Sequence, residues 1–157
     1  MRWKALRFAV AGLGVAVGCV VGAPLGAQPE GAWIKPLEGI TWQEIVPGVD
    51  FGSVYGDFSK EAHGKLARFA QGIASPPHAH THAYWAVVIQ GTVTNPFEGE
   101  EDPPEMGPGD SWHVPAGVEH VTACVSEEPC LAYAHTNDLW DITVVEWGAS
   151  EAGEARE

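Results

Sequence analysis

Three histidines at two places in the chain have the types and spacing of a metal site. His78 and His80 are separated by one residue, and His120 lies further on. Turn residues frame both places. Gly72, separated from His78 by five residues, and Gly91 bracket the first, while Gly109 and Pro115-Ala116-Gly117 lead into the second. Neutral imidazole suits Zn, Cu, Fe, Ni and Mn in varying degrees. A histidine pair completed by a remote histidine leaves coordination positions open, which is the condition for substrate, water or O2 to reach the ion. The pattern therefore specifies metal chemistry without specifying a substrate.

Strands must position these rings. Beyond the first 27 positions no stretch reads as a helix of ordinary length. Short bursts of Val, Ile, Trp, Tyr and Phe alternate with Gly, Pro, Asp and Asn at intervals of about eight to twelve residues, the signature of a β-sandwich or barrel. Strands are expected over residues 41–46, 52–58, 64–69, 80–90, 92–95, 111–114, 119–125, 131–135 and 142–146. Side chains alternate along a strand, so His78, His80, His82 and Tyr84 share one face if that strand is regular. Residues 83–89 are apolar on both faces and predict a buried central strand. Trp33, Trp42, Trp85, Trp112, Trp140 and Trp147 are expected to fill the core or line a cavity. His63, His113 and His135 read as core or rim residues.

The two framed segments resemble the paired motifs of the cupin superfamily, over about a third of the chain. Gly72, His78, His80 and Gly91 fall on the first motif, with Tyr84 at the position of its glutamate. Gly109, Pro115, Gly117 and His120 fall on the second, with Cys124 at the position of its asparagine. The segments 80–85 and 120–124 resemble an uncharacterised, single-domain bacterial branch. The resemblance implies an all-β, cupin-type jelly-roll barrel with a divalent transition metal (Fe, Cu, Mn, Ni or Zn) on His78, His80 and His120. The glutamate's role does not carry over, because a phenol with a pKa of about 10 is a poor ligand until deprotonated. Either the site is a three-histidine site, as in some thiol and diketone dioxygenases of the family, or His82 joins as a fourth ligand. Tyr84 is then a neighbouring hydrogen-bond donor or acid, and Tyr84 and His82 are the candidate acid–base groups. A neutral ligand set leaves the ion its full charge, which strengthens Lewis-acid action and attracts anionic or chelating substrates.

The N-terminus reads as an export leader. Arg2, Lys4 and Arg7 precede an apolar run from Phe8 to about Val21, and small residues follow to Ala27. Residues 1–27 are expected to be a signal peptide cleaved after Ala27, 28–39 an N-terminal arm, 40–148 the cupin domain and 149–157 a flexible tail. Lipidation at Cys19 and an uncleaved anchor are the alternatives. The leader holds three of the eight basic residues and none of the 21 acidic ones, so the mature charge falls from −13 to −16. Such a surface repels nucleic acid and anionic membrane and keeps an exported protein soluble. Export to the periplasm or medium places Cys124 and Cys130 in an oxidising compartment. A disulfide across the hairpin between them, two free thiols, or a thiolate ligand at Cys124 remain open.

Two functions from different classes follow. One is a metal-dependent enzyme, such as a dioxygenase, acting on a small organic substrate, with Trp85, Trp112 or Tyr133 excluding water. The other is a non-catalytic metal or small-ligand binder. A metal-free scaffold for protein association is a third reading. Homodimerisation through edge strands is expected.

Overall fold

The computed structural model describes residues 31–147; the expected leader, the Cys19 lipidation site and the C-terminal tail lie outside them. A short 3-10 turn, Leu37–Gly39, precedes ten strands. These are β1 (Trp42–Val46), β2 (Val49–Tyr55), β3 (His63–Phe69), β4 (His78–Ala79), β5 (Tyr84–Gln90), β6 (Val93–Thr94), β7 (Ser111–Val114), β8 (Ala123–Cys124), β9 (Cys130–Thr136) and β10 (Thr143–Val144). One antiparallel sheet runs β1-β2-β3-β9-β5-β7. The ladders β10–β4 and β6–β8 are linked through isolated bridges, among them His78 to His120 and Ala74 to Ala123. Apart from the 3-10 turn the described residues are all-β, as the turn spacing predicts, and their arrangement is that of a jelly roll.

The core follows from alternation. In β9 every second residue from Cys130 to Thr136 is buried. In β3 the inward set is His63, Lys65, Ala67 and Phe69, which pack toward Phe51 and Val49 of β2. Tyr84, Ala86 and Val88 of β5 point inward with Val114. The outward residues of β5 depart from expectation: Trp85, Val87 and Ile89 are exposed. An apolar run on both faces predicts two covering layers, but among the described residues only one face has a layer over it. Trp33 is exposed as well, whereas Trp112 and Trp140 pack against the core.

The expected 80–90 strand is also corrected. Residues 78–79 pair with β10, the chain bends at Thr81 and His82, and β5 starts at Tyr84. That bend breaks the common face expected for His78, His80, His82 and Tyr84. Gly117, at φ +73°, turns the chain so that its N–H donates to the carbonyl of His80 at 2.8 Å. A left-handed backbone conformation of this kind costs glycine little and other residues more.

Cys124 and Cys130 form a disulfide. The two cysteines do not flank a paired hairpin, because β8 pairs with β6 while β9 pairs with β3 and β5. The bond therefore fastens one layer to the other. It also excludes a thiolate ligand at Cys124. Gly91 lies against it: a Cβ at this position would meet Cys130 Sγ at 2.7 Å. Closing this short loop restricts the unfolded chain by about 2 kcal/mol. Reduction of the chelator-treated protein should lower its unfolding free energy in urea by about that amount. An unchanged midpoint would show that the layers do not depend on the bond.

Candidate metal centre

His78 and His120 face each other across two backbone hydrogen bonds, His78 N–H to His120 O at 3.0 Å and His120 N–H to His78 O at 2.9 Å. Directly opposed residues on adjacent strands present their side chains to the same side. Their ring centroids are 4.2 Å apart. His80, two residues after His78, brings its ring to 4.8 Å from His78 and 5.2 Å from His120. One ring nitrogen from each lies within 4.8 Å of the others, and all three residues are buried.

Backbone carbonyls select which nitrogen that is. His78 Nδ1 donates to Pro76 O at 2.9 Å, His120 Nδ1 to Val118 O at 3.1 Å, and His80 Nδ1 to Asp141 O. A carbonyl can only accept, so each Nδ1 carries the proton and each Nε2 of the neutral ring keeps its lone pair. Burial pushes all three rings toward that neutral form. The His80 imidazole falls to about 3 and that of His120 to about 4, while His78 is lowered by the same cause. His80 Nε2 is buried without a hydrogen-bond partner, which is costly unless something else occupies the lone pair. A ligating histidine ordinarily has its other ring N–H tied to a carbonyl or carboxylate. The donor set therefore fits a divalent transition metal.

Tyr84 stands beside this set. Its hydroxyl donates to His120 Nε2 at 3.0 Å and accepts from Trp112 Nε1 at 3.1 Å. Burial raises the phenol above its ordinary value, so it is held as a protonated donor. Among the described residues no carboxylate joins the histidines, and the three-ligand set is neutral.

The structure does not bring His82 to the other three. The bend at Thr81–His82 turns it away, with its Nε2 3.8 Å from Asp138 Oδ2 and the side chain about a third exposed. His113 stacks on exposed Trp85, His135 bonds Tyr55 on the outer face, and His63 is buried with Nδ1 donating to Glu61 O. Of the proposed wall residues, Trp112 faces inward. Trp85 is exposed, and Tyr133 alternates with buried Ala132 and Ala134, so it too faces outward.

Three further residues matter. Asp141 holds His80 through its carbonyl and, through its carboxylate, the N–H and hydroxyl of Thr81. Those hydrogen bonds keep its carboxyl below the ordinary range. Trp140 packs its indole 4.1 Å from His80 and 4.9 Å from Tyr84. Lys65 is fully buried. No spacing rule marks Asp141. Lys65 had a signal, since it sits in phase with Ala67 and Phe69 on a strand whose inward set is otherwise apolar or aromatic. A cavity of about 90 Å³ adjoins the site at His78, walled also by Phe51, Lys65, Tyr84, Trp112 and Trp140.

Tyr84→Phe should leave one metal ion bound per chain but destabilise the metal-free protein by about 1–3 kcal/mol, because Trp112 N–H and His120 Nε2 lose their partner. Metal titration and urea unfolding measure the two effects, and loss of the ion would make Tyr84 a ligand. His82→Ala should change neither quantity.

The Cupin domain family profile matches residues 65–136. Among solved structures, KdgF from Halomonas sp. is similar at 20% identity and TM-score 0.57, covering 68% of this chain and 94% of that one. The polyketide cyclase RemF from Streptomyces resistomycificus is similar at 16% identity and TM-score 0.60, covering 69% and 82%. A putative mannose-6-phosphate isomerase from Ralstonia eutropha JMP134 is similar at 26% identity and TM-score 0.51, covering 60% and 88%. No curated protein matches the sequence. At such identities the first two likenesses establish the fold and do not extend to activity.

Proposed function

From a chain that belongs to the cupin superfamily, we propose an exported, metal-dependent enzyme that binds one divalent transition ion on His78, His80 and His120. Its substrate is a small organic molecule held in the adjoining cavity. The observation that carries this reading is the convergence of three buried Nε2 lone pairs, each fixed by a carbonyl on the opposite nitrogen. A bound ion would supply Lewis acidity and a docking point for an oxygen, nitrogen or sulfur donor. The neutral donor set suits the oxygenase chemistry of three-histidine cupins and favours anionic or chelating substrates.

The chain's own residues do the rest. Tyr84, oriented by Trp112, offers a proton beside the histidines. Trp112, Trp140 and Phe51 give the cavity an apolar wall. Asp141 and Thr81 hold the His80 turn in place. The disulfide supports an oxidising compartment and so the export reading. The exposed Trp85, Val87 and Ile89 face supports self-association, since a contiguous apolar surface of this kind marks an interaction site.

His80→Ala should abolish stoichiometric metal binding, measured by elemental analysis of the purified protein. At a metal concentration a hundredfold above Kd, the variant should lack about 2.7 kcal/mol of metal-dependent stabilisation. The metal-loaded wild type should consume O2 with one class among small β-diketones, thiols and phenolics, and the variant should not. Metal binding with no uptake and no product by mass spectrometry would favour a non-catalytic binder.

A further inference from the structure

Lys65 is the most unusual buried group among the described residues. Its side chain is fully inaccessible, and its Nζ has no hydrogen-bond partner. The Nζ lies directly over the indole of Trp140 and 4.3 Å from the centre of the Phe51 ring. It forms part of the wall of the cavity beside the histidines. That cavity reaches Val46, Ile142 and Val144, all exposed, so a ligand has a route in from solvent.

An unpaired ammonium in such surroundings would cost far more than aromatic faces return. Burial accordingly lowers the lysine well below its ordinary value. Two ligand chemistries could use the position. A carboxylate needs a protonated lysine and several converging N–H donors. The pocket opposes the first; for the second, the Trp140 indole N–H is unpartnered, while the hydroxyls of Ser75, Tyr84 and Thr122 and the Trp112 N–H are already hydrogen-bonded to other groups. A carbonyl carbon needs a neutral amine in an apolar setting, which is what the pocket supplies.

We propose that Lys65 is a nucleophile that forms an imine with a small, largely apolar aldehyde or ketone entering this cavity. The Nζ lone pair adds to the carbonyl carbon and makes a C–N bond. The carbonyl C–O bond then breaks, the oxygen leaves as water with the two amine protons, and C=N–Lys65 remains. Hydrolysis reverses the step, and no oxidant or reductant takes part. A dry cavity of about 150 Å³ admits benzene, so about 90 Å³ here suits a shorter body, with about four carbons. The step needs no metal, so it stands apart from the reading of the histidines.

The test uses chelator-treated full-length protein with butanal and sodium cyanoborohydride at neutral pH, followed by peptide mapping of butyl adducts. An ordinary lysine of pKa about 10.4 is neutral in only about one molecule in 2,500 at pH 7, so Lys65 should be modified about tenfold or more ahead of exposed Lys60. The preference should vanish in urea. Lys65→Met, an apolar replacement of similar length, should fold with unchanged circular dichroism, bind metal as before and lose the fast adduct. Adducts on Lys35 and Lys60 with Lys65 unmodified would overturn the proposal, as would fast labelling that persists in Lys65→Met.

Discussion

The hydrogen bond from each of three imidazole Nδ1 atoms to a backbone carbonyl decides what the interior of this barrel can do. The carbonyls belong to Pro76, Val118 and Asp141, in three separate loops. Each bond fixes a tautomer, and the fixed tautomers aim three Nε2 lone pairs at one another. The surrounding architecture serves that arrangement. The reciprocal backbone pair between His78 and His120 sets two rings side by side. The turn at Gly117 and the carboxylate of Asp141 set the third. Burial then keeps all three neutral, because the apolar walls penalise the imidazolium form.

Two other positions depart from the family's pattern. Tyr84 occupies the position of a carboxylate and acts as a hydrogen-bonded phenol, tied at once to His120 and Trp112. Cys124 occupies the position of an amide and is consumed in a bond that joins the two layers. A charged glutamate would have lowered the net charge of a bound ion; without it, charge compensation falls to the substrate. Lys65 and His78 thus line one cavity, and among its described lining residues there is no carboxylate.

The sequence made the three histidines legible because cupin spacing and turn residues both mark them. The all-β class was equally legible from the rhythm of Gly and Pro. His82 was not separable from its neighbours, because strict alternation predicts a shared face and only the bend at Thr81–His82 removes it. The outer face of β5 was misread for a related reason: an apolar pattern shows what a residue prefers, not whether another layer arrives to cover it. Asp141 holds His80 through a carbonyl that every residue type carries, and its carboxylate reaches Thr81 from 60 residues away, so no local spacing could announce it. Lys65 could have been found from its phase on β3, since a lysine among inward-facing Ala67 and Phe69 conflicts with the pattern unless it has a use.

The central claim is that one ion sits on His78, His80 and His120. Anomalous diffraction at the absorption edge of the metal found in natively purified protein tests it most directly. The account predicts a single peak in contact with all three Nε2 atoms. A peak on His82 and Asp138 instead, or protein that carries no transition metal, would contradict it.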